Sequence, residues 1–190
     1  MSSNRAIFLD RDGTLIRDQG FVHRPEDLQL LDNVVAGLRR MSAAGFGLYI
    51  TTNQSGIARG YFSEADMHAF NAALRERLRA EDVDIKAIYH CPFHPEGSVE
   101  FYRQDSPLRK PRPGMILQAA AEHHLDLPAS VAIGDKKSDI LAGQAAGCRT
   151  ILVRTGARGA GEPDLQANPD FIAPDLLAAA EWLEGNGGTR

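Results

Sequence analysis

Short apolar runs alternate along this chain with segments of helical hydrophobic periodicity. Apolar runs that are bounded by turn residues are typical of strands buried inside a sheet. The pattern predicts strands at residues 5–10, 46–52, 85–90, 130–135 and 149–153, with a short one near 171–172.

Helical patterns lie between and after these runs. The first has apolar residues at helical spacing and is expected to end at Gly45. The second opens with Ser63 and Asp66, a pair typical of a capping box, and runs to about residue 80. Pro113 suits the first turn of the third, where its missing N–H costs nothing. The last three predicted helices span 113–124, 139–146 and 174–183.

This alternation predicts an α/β fold, a three-layer Rossmann-like parallel sheet with helices on both faces. We expect one domain over residues 1–184 and a flexible tail over 185–190, which is rich in glycine. In such sheets ligands bind beyond the carboxyl ends of the strands. The residues at those ends are therefore the candidates for chemistry.

Composition narrows the function classes. The net charge is −4 and the basic residues are scattered, so a nucleic-acid surface is not indicated. No apolar run is long enough to span a bilayer, and no signal peptide precedes the first strand. Two cysteines make no disulfide framework. We expect a cytoplasmic monomer that binds a small molecule, with no nucleic-acid or membrane partner.

Two carboxylates, Asp10 and Asp12, follow the first apolar run. Side chains on a strand alternate, so both are expected on one side. Two negative charges at such a short distance raise each other's proton affinity unless a cation lies between them. The pair therefore indicates a divalent metal site, an acid–base pair, or both. The same residues are also compatible with an ordinary strand end, in which Asp-Gly forms a turn and a side chain caps a helix.

Other strand ends carry complementary groups. Asp10, Asp12 and Asp135 offer oxygen ligands for magnesium. Thr52 and Lys110 add a hydroxyl donor and a positive charge. Such a set suits a phosphoryl group, whose transfer needs positioning and charge stabilisation. Further donors follow the second strand, at Asn53, Gln54 and Ser55.

Four motifs follow one another along the chain: Asp10-x-Asp12-Gly13-Thr14, Thr52-Asn53, Lys110 and Gly134-Asp135-Lys136-x-x-Asp139. In these motifs the chain resembles the haloacid dehalogenase-like phosphatases. The resemblance implies that Asp10 is the nucleophile and that Asp12 protonates the leaving alcohol and then activates water. It also implies that Asp10, the backbone carbonyl of Asp12, and Asp135 hold Mg²⁺, and that Thr52 and Lys110 contact the phosphoryl oxygens.

A closer resemblance rests on residues 8–14, 53–60, 91–92, 94–97, 109–111 and 113–115. In these segments the chain is similar to the D-glycero-D-manno-heptose 1,7-bisphosphate 7-phosphatases, with the histidinol-phosphate phosphatases as near relatives. This resemblance implies no large cap domain, a phosphosugar substrate, and a place in nucleotide-heptose and lipopolysaccharide core synthesis. Arg109 matches the residue that contacts the second phosphate, which suits a guanidinium. The resemblance also implies substrate contacts by Asp18, Gln19, Gly20 and Phe21. Further candidate substrate contacts are Asn53, Gln54, Ser55 and Lys136.

The long loop after the third predicted strand, residues 91–112, is called the third loop, and it departs from this family. Many members fold it around zinc, but here Phe93 stands in place of a histidine and Ser106 and Leu108 in place of cysteines. Cys91 alone cannot close a four-ligand site, so no zinc is expected. We expect packing to hold the loop instead, through Phe93, Phe101, Tyr102 and Leu108.

Two other functions fit parts of this pattern. A histidinol-phosphate phosphatase or a broader sugar phosphatase would use the same catalytic residues. A signalling receiver domain also accepts phosphate on an aspartate beside magnesium in a parallel sheet. Asp12 lies two residues beyond the predicted nucleophile, where it can act as acid and base, so turnover is expected.

Overall fold

A computed structural model of the protein describes residues 4–156 and 167–186. Six parallel strands in these ranges form one sheet in the order β3-β2-β1-β4-β5-β6. The strands are β1 (Ala6–Leu9), β2 (Gly47–Asn53), β3 (Ile85–Cys91), β4 (Val131–Gly134), β5 (Arg149–Val153) and β6 (Phe171–Ala173). The helices are α1 (Val34–Ala43), α2 (Ser55–Ala58), α3 (Glu64–Arg79), α4 (Gly114–His123), α5 (Lys137–Ala145) and α6 (Leu176–Asn186).

Strand β1 lies at the centre of the sheet. It pairs with β2, where Leu9 faces Ile50, and with β4, where Leu9 faces Ile133. The backbone N–H of Asp10 still donates to the Ile133 carbonyl at 2.9 Å. The carboxyl ends of β1, β2 and β4 therefore meet beside Asp10, as a parallel sheet requires.

Alternate residues of β1 enter two cores. Ile7 and Leu9 belong to a buried cluster with residues of α1, α3 and α6, whereas Ala6 and Phe8 belong to one with residues of α4 and α5. This alternation follows from the two-residue period of a strand. Helices thus cover both faces, and the predicted three-layer fold is confirmed.

Several boundaries differ from the predicted ones. Helix α5 starts two residues before the predicted position 139, since the Asp139 carboxylate accepts the Lys136 N–H at 3.0 Å and caps the first turn. Helix α2 was not predicted, because four residues give no detectable period. Helix α6 continues through Gly185 and Asn186, so these two residues of the predicted tail are helical. Residues 187–190 lie outside the described residues.

The long connections 10–33 and 92–113 contain only the 3₁₀ turns Pro25–Asp27 and Glu100–Tyr102 and isolated bridges. The described residues accordingly include no cap domain, as expected. No described helix has the length and hydropathy that crossing a bilayer requires.

Candidate active site

Lys110 lies buried between two carboxylates. Its Nζ donates to Asp10 Oδ1 at 2.8 Å and to the Thr51 carbonyl at 2.7 Å, and it lies 2.6 Å from Asp139 Oδ1. Burial alone would lower the pKa of Lys110, but attraction to Asp10 and Asp139 outweighs it and raises that pKa above its ordinary value. The ammonium is therefore charged beside Asp10, and its predicted contact with the phosphoryl oxygens stays a prediction.

Asn53 fixes the backbone of Lys110. Its Nδ2 donates to the Lys110 carbonyl, and its Oδ1 accepts the Lys110 N–H, both at 3.1 Å. This reciprocal pair joins the end of β2 to the third loop. Asn53, predicted to contact substrate, thus has a positioning contact in the structure.

Asp12 has a different environment from Asp10. Its carboxylate accepts two hydrogen bonds from Arg11, at 3.0 Å each, and a third from Gln54 Nε2 at 3.0 Å. Thr52 Oγ1 lies 3.5 Å from the same carboxylate and accepts from Gln54 at 2.8 Å. The structure therefore gathers Thr52 and Gln54 around the predicted acid.

The pKa values of the two aspartates are shifted in opposite directions. Burial acts to raise the pKa of Asp10, but Lys110 and Lys136 outweigh it and lower that pKa. Burial raises the pKa of Asp12, and the nearby charge of Asp10 adds to it, against the opposing attraction of Arg11. Opposite shifts in neighbouring carboxyl groups separate a nucleophile from a general acid.

Arg11 is a site residue that sequence reasoning missed. Its side chain is 1% exposed, lies 4.6 Å from the centre of the Phe70 ring, and donates to Asn71 and to the Val22 carbonyl at 3.0 Å each. A buried arginine needs such partners. The signal available was its position in the sequence between Asp10 and Asp12.

Asp10, Asp135 and Asp139 form a cluster in which one oxygen of each lies within 4.8 Å of the others. Oδ1 of Asp135 is buried and has no hydrogen-bond partner among the described residues. Burial, with the charge of Asp10 next, raises the pKa of Asp135 to about 8. A buried carboxylate oxygen without a hydrogen-bond partner, beside another carboxylate, fits a divalent cation, and oxygen ligands are those that magnesium prefers.

The predicted ligand set was Asp10, Asp12 and Asp135. The Asp12 carboxylate is engaged by Arg11 and Gln54, whereas its backbone carbonyl lies 3.4 Å from Lys136 Nζ, which is 3.9 Å from Asp135 Oδ2. The carbonyl and Asp135 thus both lie near the Lys136 ammonium, and the ligand set that the resemblance implies stays a prediction. Asp139, the third member of the cluster, is held by Lys110.

Two glycines leave room for Asp135. A Cβ on Gly13, whose φ is +91°, would lie 2.5 Å from Asp135 Oδ2, and one on Gly156 would lie 2.0 Å from it. Thr155 Oγ1 donates to the Gly13 carbonyl at 2.7 Å, so the segment after β5 packs onto the loop after β1. Thr155 and Gly156 were not predicted, because short Thr-Gly sequences occur in many loops.

The loop after β1 contributes to the rim of the site. Asp18 accepts from Lys136 at 3.2 Å and also accepts the N–H of Gly20 at 3.0 Å. Phe21 is 45% exposed and lies edge-on to Tyr61, with ring centres 4.7 Å apart. Gln19 is directed elsewhere, towards Gln29 at 3.5 Å. Ser55 opens α2 beside Gln54.

The third loop is held by packing and hydrogen bonds. Phe93 and Leu108 pack on the cluster that contains Cys91, and Tyr102 packs on the cluster of Ile57, Phe62 and Met67. The expectation for Phe101 was wrong: it is 75% exposed and contacts the edge of Tyr102, with ring centres 5.0 Å apart. Ser106 is buried, and its Oγ accepts from the Leu108 N–H at 3.2 Å. The absence of zinc stays a prediction.

Comparison with known proteins places the chain. A family model described as HAD-hydrolase-like matches residues 107–179. The chain is 44% identical over 179 residues to D-glycero-beta-D-manno-heptose-1,7-bisphosphate 7-phosphatase of Escherichia coli K12. This alignment covers 94% of this chain and 87% of that enzyme. The chain is also 44% identical to the D-glycero-D-manno-heptose-1,7-bisphosphate 7-phosphatase of Thermosynechococcus vestitus, with 94% of each covered.

A solved structure agrees. D,D-heptose 1,7-bisphosphate phosphatase from B. bronchiseptica, complexed with magnesium and phosphate, superposes with a TM-score of 0.81 at 31% identity over 96% of this chain and 99% of that one. The identities and coverage exceed what a shared fold alone produces. The chain therefore belongs to the D-glycero-D-manno-heptose 1,7-bisphosphate 7-phosphatase family of haloacid dehalogenase-like hydrolases.

Proposed function

We propose that this protein is a magnesium-dependent phosphatase that removes the 7-phosphate of D-glycero-D-manno-heptose 1,7-bisphosphate through an aspartyl-phosphate on Asp10. The observation that carries the proposal is the arrangement of two carboxylates: Asp10 lies 2.8 Å from the Lys110 ammonium and beside Asp135, and the Asp12 carboxylate, two residues on, is oriented by Arg11 and Gln54. One carboxylate is set to attack and the other to hold a proton. The activity named for the relatives at 44% identity supports the substrate.

In the first step an Asp10 oxygen attacks the phosphorus, and the bond from phosphorus to the sugar oxygen breaks. Asp12 delivers its proton to that leaving oxygen. In the second step Asp12 takes a proton from water, the water oxygen attacks phosphorus, and the Asp10–phosphorus bond breaks to release phosphate. Both roles of Asp12 use one carboxyl group that is oriented by Arg11 and Gln54.

Lys110 neutralises charge throughout. A phosphate dianion approaching two carboxylates is repelled unless cations offset them. Lys110 supplies one positive charge at Asp10, and Lys136 supplies another beside the Asp12 carbonyl. Mg²⁺ held by Asp10, Asp135 and the Asp12 carbonyl would neutralise the phosphoryl oxygens further.

A substrate panel tests the proposal. We expect kcat/KM for the heptose 1,7-bisphosphate to exceed that for histidinol phosphate and for simple sugar monophosphates by at least about 100-fold, the size of one well-placed charged contact. Equal or higher values for histidinol phosphate would assign that activity instead. A stable phosphoprotein without phosphate release would favour the receiver function.

The remaining expectations rest on the sequence and the family. They are a cytoplasmic location, a monomer, and a product that enters nucleotide-heptose and lipopolysaccharide core synthesis. Sedimentation at catalytic concentration tests the oligomeric state.

A further inference from the structure

Three basic side chains converge at the junction of α2 and the third loop. Arg59 is the C-cap of α2, and its Nη2 lies 3.2 Å from His94 Nε2. Arg109 donates from Nη1 to the carbonyl of Phe93, the neighbour of His94, at 3.4 Å. We call these residues, Arg59, His94 and Arg109, the basic cluster.

The basic cluster holds more donors than acceptors. His94 Nδ1 accepts the backbone N–H of Glu96 at 3.1 Å, while Nε2 faces the Arg59 guanidinium. Both of these partners can only donate, and a neutral imidazole accepts at one nitrogen only. Whichever tautomer His94 adopts, one donor is left without an acceptor. An anion that accepts from Arg59 and from His94 Nε2–H together resolves this conflict.

The basic cluster also has a surplus of positive charge. Within residues 4–156 and 167–186, no ion pair with a carboxylate is formed by Arg59, His94 or Arg109. The nearby carboxylate of Asp105 pairs with Arg112 instead, at 2.5 Å. Partial burial lowers the pKa of His94 and of Arg109, and the charge of Arg59 contributes to both shifts.

The segments that carry the cluster also carry catalytic side chains. Gln54, which donates to Asp12, immediately precedes the short helix that Arg59 caps. Arg109 immediately precedes Lys110, which contacts Asp10. The backbones of the two segments are joined by the Asn53–Lys110 hydrogen bonds. An anion on the cluster is thus bound to the same two segments that position the reacting phosphoryl group.

We propose that Arg59 and His94 are specificity-determining residues that bind, together with Arg109, the phosphate group of the substrate that is not hydrolysed. This inference rests on the proposed function, because it assumes a substrate with two phosphates. A phosphate offers several acceptor oxygens, so it can accept from both guanidinium groups and from Nε2–H at once. The predicted role of Arg109 explains one donor; the orphaned donors on Arg59 and His94 indicate the other two.

The test compares a bisphosphate with a monophosphate in purified variants. We expect Arg59→Met and His94→Ala each to lower kcat/KM for the heptose 1,7-bisphosphate by about 10- to 100-fold, the loss typical of a charged hydrogen bond. Activity on p-nitrophenyl phosphate, which has a single phosphate, should change by less than about twofold, within surface-substitution effects. Arg103→Ala, an exposed arginine in the same loop, is the control and should leave both activities unchanged.

Binding gives a second readout. Binding is measured by calorimetry in an Asp10→Asn background, which cannot turn over. There Arg59→Met should weaken binding of the bisphosphate and leave binding of heptose 7-phosphate unchanged. Arg59→Lys keeps the charge without the planar fork and should lose less, so it replaces Arg59→Met if that variant melts early. The inference would be overturned if kcat/KM fell equally for the bisphosphate and for p-nitrophenyl phosphate. It would also be overturned if the Arg59 and His94 variants kept the wild-type preference for the bisphosphate. Failure of the wild type to prefer the bisphosphate would instead overturn the proposed function.

Discussion

Replacing Lys110 by methionine should uncover the repulsion that this lysine suppresses. The side chain is 5% exposed and its ammonium contacts carboxylates of both Asp10 and Asp139. Methionine fills a similar volume without charge. The variant therefore leaves two carboxylates facing each other in a buried site.

The size of the effect follows from the distance. One oxygen each of Asp10 and Asp139 lies within 4.8 Å, and at an effective dielectric constant near 20 two unit charges at that separation repel by about 3.5 kcal/mol. Removing one partner of a buried ion pair costs about 3–5 kcal/mol in general, which agrees. For a chain of this size that lowers Tm by roughly 10 °C.

The assay is thermal and urea unfolding in the presence of a chelator, with phosphatase activity measured in parallel with Mg²⁺. We expect Lys110→Met to lower the free energy of unfolding by most of the calculated repulsion of about 3.5 kcal/mol and to abolish nearly all activity. Adding Asp139→Asn removes one of the two facing charges, so the double variant should regain most of the stability while staying inactive. Lys86→Met, which removes a half-exposed lysine paired with Asp84, is the matched control and should cost less than about 1 kcal/mol.

Two results would refute this reasoning. One is a Lys110→Met protein as stable as the wild type without divalent metal. The other is a double variant no more stable than Lys110→Met alone, since the loss would then come from packing rather than from charge repulsion.

Three further predictions concern other parts of the chain. Gly156→Ala places a methyl group on the Asp135 carboxylate, so the Mg²⁺ concentration for half-activation should rise at least about tenfold; an unchanged value would show that Asp135 does not depend on this close approach. Cys91 and Cys148 are buried, and burial raises the pKa of the Cys148 thiol to about 12, so iodoacetamide should modify neither in the native protein near neutral pH and both in urea; native labelling would contradict this. Metal analysis of protein purified without chelator should find no stoichiometric zinc, because Phe93, Ser106 and Leu108 offer no thiolate or imidazole, and stoichiometric zinc would disprove it.

The strands and the main site residues could be predicted from the sequence because both follow short-range rules. Apolar runs ending in Asp10 and Asp135 mark strand ends, and a parallel sheet brings those ends together. The capping pair Ser63 and Asp66 is likewise local, and the structure contains it as a reciprocal capping box.

Contacts between segments that are distant in the sequence could not be predicted from short-range patterns. Arg11 meets Asn71, 60 positions away, and no periodicity encodes that pair. Asp139 caps the first turn of α5, and the same carboxylate contacts Lys110 in the third loop. Arg59 and His94 become a candidate site only when α2 and the third loop are packed together.

The central claim is that Asp10 becomes phosphorylated, and chemical trapping tests it most directly. The wild-type protein is quenched with borohydride during the first turnovers of the heptose 1,7-bisphosphate, because borohydride reduces an acyl phosphate to the alcohol. We predict homoserine at position 10 in the peptide mass spectrum, absent when substrate or Mg²⁺ is omitted. Phosphate release without any reduced product at Asp10, or a reduced product at another carboxylate, would contradict the account.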